Sequence, residues 1–202
     1  TSILEANIFP IFRQRPFNII PNPETSPRDI FISGVDTSPL GLNIELVVEN
    51  ENENFQAGID VLNRLTNGKV YLTTKPNSVL SSIQNVELNT ISGPHPAGNI
   101  GIQIHHIAHL KPSEIIWTVN PQDVISLGKL FLNGLYDSTR VITLGGSNVN
   151  NPGHFRVVQG SKISSIIGDN LNENDYRIIS GDVLTGRTSS LEDYLSYYDY
   201  TV

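Results

Sequence analysis

Short apolar segments alternate with segments of helical periodicity over the first 137 residues, and this alternation restricts the fold more than any other feature. Strands are predicted at 29–36, 69–73 and 86–91, where apolar runs end at turn-forming residues. A helix ending at Asn67-Gly68 is predicted between the first two strands, from apolar residues at helical spacing: Phe55, Ile59, Leu62 and Leu65. Strands separated by helices pair in parallel, so the sequence predicts an α/β layer.

A further helix is predicted from Asn120 to Gly134, because both of its ends carry local signals. Asn120 is a good N-cap, Pro121 suits the first helical position, and Gly134 suits the C-terminal stop. Its predicted apolar face consists of Val124, Leu127, Leu130 and Phe131. A shorter helix is predicted over 76–84.

The pattern changes near Tyr136 to Ser138, where we place a domain boundary. Residues 140–186 contain short strands separated by glycine and asparagine turns, which is typical of a small β-rich module. Residues 1–28 hold five of the twelve prolines and are expected to be an extended lead-in rather than a helix or central strand. We therefore predict a domain at 1–137, a second at 138–190, and the tail of a truncated chain at 191–202.

Composition excludes several function classes. A net charge of −7 disfavours nucleic-acid binding, which needs clustered lysine and arginine. The sequence has no cysteine, so it holds no thiolate nucleophile, disulfide or thiolate-bound iron–sulfur cluster. No apolar run is long enough to span a bilayer.

The stretch ISGPHPAGNIGIQIHH at 91–106 is the strongest candidate for a site. Gly93 and Gly98 have the spacing of a phosphate loop, but Asn99 stands where that loop needs lysine. The prolines also lack the N–H groups that cradle an anion. We reject both this motif and the dinucleotide fingerprint, of which Gly98 and Gly101 supply only part.

Three histidines near the end of this stretch raise a metal hypothesis. His105 and His109 share a face if the segment is helical, whereas a strand would separate them, and the sequence leaves that choice open. No HExxH glutamate accompanies His105, His106 or His109, so solvated histidines are the preferred interpretation and no metal is assigned. A serine-hydrolase Gly-x-Ser-x-Gly pattern is also missing.

Several ordered strings, covering about Phe12 to Gly186, resemble the NqrA subunit of the sodium-translocating NADH:quinone oxidoreductase. GPHPAG at 93–98 is the most specific part of this resemblance. The strings are FRQRPF (12–17), TSPRDIFISGVDTSPL (25–40), FQAGIDVLNRLTNGKVYL (55–72), SGPHPAGNIGIQIH (92–105), WTVNPQDVISLGKLFLNG (117–134), RVITLGG and NPG (within 140–153), and RIISGDVLTG (177–186).

The resemblance implies a fold and a setting. The fold is α/β, a Rossmann-like layer followed by a small β-grasp (SLBB-type) α+β module, and the chain is an internal fragment of the subunit. The subunit is implied to be peripheral, on the cytoplasmic side of the bacterial inner membrane, contributing to binding of ubiquinone or inhibitors. Its partners are implied to be the other subunits, chiefly a membrane subunit. NADH, flavins and the iron–sulfur centre belong to those partners, with no cofactor bound here and no activity expected of the fragment alone.

The family supplies no catalytic residue to carry over, so the candidates are for quinone binding or surface contacts. His95 is the only ionisable group in GPHPAG, and the family string departs from this sequence after His105. The candidates are Gly93, Pro94, His95, Pro96, Gly98 and His105, with Arg13 and Arg15 as an anion-binding pair. Two alternatives stay open: a flavin-binding dehydrogenase domain like the FMN subunit of complex I, and a stand-alone β-grasp module that binds a small ligand.

Overall fold

A computed structural model describes residues 2–172 and 175–202. They form two compact units: residues up to Asp36 with Asn43–Asp137, and Thr37–Leu42 with Ser138–Val202. The elements of the first unit are α1 (Ser2–Glu5), β1 (Arg13–Arg15), β2 (Asp29–Ser33), α2 (Ile44–Val48), α3 (Asn52–Leu62), β3 (Val70–Thr74), β4 (Glu87–Thr90), α4 (Ile100–Ile107), β5 (Ile116–Val119) and α5 (Pro121–Asn133). No helix among the described residues is long and apolar enough to cross a membrane.

The first unit is built on a five-stranded sheet in the order β1-β5-β2-β3-β4. β2 pairs in parallel with both β3 and β5, and β3 pairs in parallel with β4. The three predicted strands are present as β2, β3 and β4, so the predicted α/β layer is confirmed. β5, which has four buried residues, was not predicted.

The lead-in is not wholly extended, and that expectation is wrong at α1 and at the 3-10 turn Phe9–Ile11. β1 pairs antiparallel with β5 and is only three residues long. It lies at the sheet edge, which is where prolines that cannot donate a ladder hydrogen bond are tolerated.

α3 and α5 pack closely against each other through glycines. A Cβ added at Gly58 would lie 2.1 Å from the Val124 carbonyl oxygen, and one at Gly128 would lie 1.8 Å from the Asn54 carbonyl oxygen. Most of the predicted apolar faces are buried, but Phe131 is 47 % exposed, so the prediction is wrong there.

Lys129 on α5 joins this helix to neighbouring segments of the first unit. Its ammonium lies 2.8 Å from a Glu51 carboxylate oxygen and 3.0 Å from one of Asp137. Burial lowers the pKa of Lys129, but hydrogen bonds and the charges of the two carboxylates outweigh it, and the net pKa is raised. The cation is therefore stabilised in place.

α4 covers the sheet face that carries Phe31 and Tyr71, whose rings stack with centroids 4.5 Å apart. Ile104 packs there with Ile116. This packing settles the open choice over residues 100–107 in favour of a helix, because burying Ile104 on the sheet satisfies its apolar side chain.

The second unit contains β6 (Thr139–Leu144), β7 (Gly153–Val158), α6 (Ile163–Ile167), β8 (Ile178–Ser180) and β9 (Arg187–Ser189). β6 pairs antiparallel with β7, and β8 pairs antiparallel with β9. This small module of antiparallel strands and one helix, after the parallel layer, agrees with the predicted fold class. Its core includes Ile142, Leu144, Ile163, Ile166, Ile167, Ile178, Leu195 and Val202.

The last residues pack into the second unit. The Thr143 N–H donates to the Tyr200 carbonyl, and the Val202 N–H donates to the Thr143 carbonyl. Arg140, which is buried, lies with its guanidinium carbon 4.7 Å from the Tyr200 ring centroid and 5.6 Å from that of Tyr197. Backbone pairing and cation–π contacts thus hold residues 197–202 against β6.

Candidate functional site

The carboxyl ends of β2 and β3 meet the GPHPAG turn through one buried side chain, Gln103 of α4, which is 2 % exposed. Its amide oxygen accepts a 2.7 Å hydrogen bond from the Thr73 hydroxyl. Its amide nitrogen donates to the Ser33 hydroxyl oxygen at 2.8 Å and to the Gly98 carbonyl oxygen at 3.1 Å. A buried amide must be hydrogen-bonded, so these partners fix the turn over the sheet edge.

The turn itself is closed by its own backbone. The Ala97 N–H donates to the Pro94 carbonyl at 3.0 Å, and the Asn99 N–H donates to the Pro96 carbonyl at 2.8 Å. Gly93 has a φ of 138°, which favours glycine. His95 is half-buried, whereas Gly93, Pro94 and Pro96 are exposed. The carboxyl edge of a parallel sheet is the usual place for ligands in such folds.

Arg15 is brought from β1 to the start of α4, next to this turn. With residues 99–102 it lines a shallow cavity of about 370 Å³. Its Nε is buried and has no hydrogen-bond acceptor among the described residues. Burial, and less strongly the charge of Arg13, lower the pKa of Arg15. The guanidinium is therefore a donor group with unused capacity beside a cavity.

The other sequence candidates lie apart from this cavity. Arg13 donates to Asn18 within its own hairpin, through Nε to the side-chain oxygen at 3.3 Å and through a terminal nitrogen to the carbonyl. His105 is seven residues beyond Gly98 along α4, or about 10 Å at the helical rise. There its Nδ1 lies 3.2 Å from Nδ1 of His109. The anion-binding pair and the single histidine cluster of the sequence interpretation are thus separated in space.

Gln103 is the residue that sequence reasoning missed. Its only signal is a polar side chain inside an otherwise apolar helical run, IGIQI. A second missed feature is a cavity of about 490 Å³ in the second unit, lined by apolar residues such as Leu144, Val149 and Val183 and by the charged Asp175 and Arg177. Among residues 2–172 and 175–202, no group of three or more histidine, aspartate or glutamate side chains is placed to hold a metal ion.

Comparison with known proteins gives two matches to family models. Residues 1–136 match the model described as the NqrA second alpha/beta domain, and residues 141–190 match that of the NQRA C-terminal domain, an SLBB model.

Similar curated proteins all carry the name of this same subunit of the Na(+)-translocating NADH-quinone reductase. The one from Vibrio parahaemolyticus is 40% identical over 187 residues, covering 92% of this chain and 42% of the relative. The one from Neisseria meningitidis serogroup B is 38% identical over 200 residues, covering 98% and 45%. The chain thus spans less than half the length of these relatives.

Among solved structures, an NAD+-reducing [NiFe]-hydrogenase in the air-oxidized state superposes with a TM-score of 0.68 at 14% identity. The match covers 98% of this chain and 44% of that one. At this identity the likeness shows a shared fold alone.

Proposed function

The chain belongs to the NqrA family, whose members are subunits of the Na⁺-translocating NADH-quinone reductase, and we propose that it contributes quinone binding and subunit docking to such a complex without a redox centre of its own. In this proposal NADH, flavins and the iron–sulfur centre are held by partner subunits. The complex couples NADH oxidation and ubiquinone reduction to sodium export.

The observation that carries the quinone assignment is the unused donor capacity of Arg15 beside an apolar surface. A quinone presents a flat apolar ring with two carbonyl acceptors, so its site needs donors next to apolar side chains. Arg15 offers buried N–H groups, and Ile100 and Ile102 offer apolar surface in the same cavity. Ile102 is 40 % exposed, as a ring-contacting residue in an open site would be.

The remaining candidates have different roles in this proposal. Gly93, Pro94, Pro96 and Gly98 shape the turn that borders the cavity, and Gln103 positions that turn. His95 faces a ligand as a second donor. Arg13 raises the local positive charge, and His105 lies outside the site.

A docking surface is proposed on the hairpin that follows Arg15. Phe17 is 83 % exposed, and Ile19 and Ile20 are about half exposed, so three large apolar side chains face solvent within four residues. Burying such a patch against a partner would be favourable. We assign it to contact with a membrane subunit, with this chain peripheral on the cytoplasmic side.

Calorimetric titration of the chain with a short-chain ubiquinone tests the quinone site, with the fluorescence of Trp117, the only tryptophan, as a second readout. Arg15→Gln should weaken binding about tenfold or more, since a charged donor is lost. Arg64→Gln, on an exposed arginine of the same unit, should not change it. Equal binding by wild type and Arg15→Gln would contradict the site. Stoichiometric flavin bands after reconstitution would contradict the missing redox centre and favour the dehydrogenase alternative.

A second candidate function is small-ligand binding by the β-grasp module, and the 490 Å³ cavity favours it. Its volume and mixed apolar and charged lining suit a small organic molecule. Val183→Trp would fill the mouth of the cavity, because Val183 is 45 % exposed and lines it. Quinone binding that is lost in Val183→Trp but kept in Arg15→Gln would move the proposed site into the second unit.

A further inference from the structure

His105 and His109 lie at the C-terminal end of α4, away from the cavity beside Arg15, and form a close pair of imidazoles. Their Nδ1 atoms are 3.2 Å apart, and their ring centroids are 4.9 Å apart with the rings nearly perpendicular. Both side chains are exposed. Two ring nitrogens therefore converge on one point that solvent can reach.

The separation of these nitrogens matches the bite of a metal chelate. Imidazole nitrogens bind zinc at about 2.0–2.1 Å. Two nitrogens 3.2 Å apart, each at that distance from a shared ion, subtend an angle of about 103°. That angle is close to the tetrahedral value. An ion can thus replace the hydrogen that the pair shares, once both rings carry their proton on Nε2.

The backbone around the pair is fixed by Arg28. Its guanidinium donates to the Ala108 carbonyl at 2.8 Å and to the His109 carbonyl at 3.3 Å. Arg28 is also paired with the carboxylates of Asp29 and Glu114, so its own charge is largely offset. His109, just beyond the end of the helix, is therefore held where its ring meets that of His105 at little entropic cost.

The local field also favours a cation. His105 is in the last turn of α4, where the helix dipole presents its negative end. We propose that His105 and His109 form a two-histidine chelate for a divalent transition-metal cation of the Cu²⁺, Ni²⁺ and Zn²⁺ class, with water filling the open positions. Imidazole pairs suit these ions rather than Mg²⁺ or Ca²⁺. This proposal does not depend on the quinone site.

The test is a calorimetric titration of the tag-free chain with Cu²⁺, Ni²⁺ and Zn²⁺. Wild type should bind one ion per chain, tightest for Cu²⁺. His105→Ala and His109→Ala should each weaken binding about tenfold or more, because a single imidazole cannot chelate. His106→Ala is the matched control, since His106 is an exposed histidine on the same helix, and it should stay within about twofold.

Two further readouts keep the test decisive. Circular dichroism of each variant checks that the exposed substitutions leave the fold unchanged. Electron paramagnetic resonance of the Cu²⁺ complex should show coupling to two nitrogens in wild type and to fewer in either alanine variant. Binding that is equal in all variants, that falls as much in His106→Ala, or that is undetectable at millimolar metal would overturn the proposal.

Discussion

Replacing Gln103 by leucine should destabilise the first unit and release the GPHPAG turn. Leucine has similar volume, so no large cavity forms, but the four hydrogen bonds of the amide disappear: from Thr73, and to Ser33, Gly98 and Ala97. Each buried polar group left without a partner costs about 1–3 kcal/mol.

The cost does not reach the full sum of these bonds. The Thr73 hydroxyl keeps a weak alternative in the Ile32 carbonyl at 3.4 Å, and the Ser33 hydroxyl keeps the Val35 carbonyl at 2.9 Å. Two carbonyls of the turn remain as the main loss, and the added apolar burial of leucine offsets part of it. We therefore expect the free energy of unfolding to fall by about 2–4 kcal/mol.

Urea unfolding followed by Trp117 fluorescence measures this effect, because the only tryptophan lies in the first unit. At an m-value of about 2 kcal/mol/M, the midpoint should fall by about 1–2 M. His106→Leu, an exposed substitution on the same helix, is the control and should change the midpoint little. A Gln103→Leu effect below about 0.5 kcal/mol, or one no larger than the control, would refute the argument that this amide ties the turn to the sheet.

Three further predictions concern packing and pH. Gly128→Ala should destabilise the first unit by more than about 2 kcal/mol, because its Cβ would lie 1.8 Å from the Asn54 carbonyl; Gly101→Ala, with no atom within 4 Å, should instead be neutral or stabilise by up to about 1 kcal/mol in the same urea assay. Lys129→Met should lose about 1–2 kcal/mol at pH 7, since two carboxylates lose their cation. The raised pKa of Lys129 means that this stabilisation is complete below 10.5 and is lost as pH rises through the raised value, so thermal melts of variant and wild type should converge there, and a constant difference would contradict the pairing. In the second unit, hydrogen bonds from the backbone and side-chain donors before it lower the pKa of Asp193, so its stabilisation is present above 3.8 and is lost as pH falls through the lowered value; amide exchange of Asp193→Asn should lack this acid-side loss, and an unchanged acid profile would show that the carboxylate contributes nothing.

Local signals were sufficient for α5 and for most of the parallel strands. Asn120 accepts a hydrogen bond from the Gln122 N–H at 2.9 Å, and Gly134 ends the helix with a φ of 72°, as their positions predicted. Such caps act over two or three residues, so the sequence contains all of the information that they need.

Local signals failed where two structures fit the same pattern or where no pattern exists. The run IGIQIHHI suits a helix or a strand, and only burial of Ile104 against Phe31 and Ile116 makes α4 a helix. β5 was missed because its four buried residues lack the alternation that marks a half-exposed strand. α1 was missed because the prolines that follow it dominate the pattern of the lead-in.

The candidate site shows the same division. The GPHPAG turn was recognisable from its own residues, and family membership, inferred from several ordered strings, is confirmed by the comparisons. The partner residues were not recognisable. Arg15 reaches the start of α4 from the far edge strand, and Gln103 meets Ser33 and Thr73 across three different elements.

The sequence by itself therefore determined the α/β class, the ends of its best-capped helix, the chemistries that a chain without cysteine cannot perform, and the family. Only the tertiary structure decided that His105 and His109 converge while Arg13 and Arg15 diverge, and that Leu195 and Val202 complete the core of the second unit. The reason is physical. Caps, turns and periodicity are set by neighbours along the chain, whereas hydrogen bonds to a buried amide and the filling of a core depend on which distant segments the fold brings together.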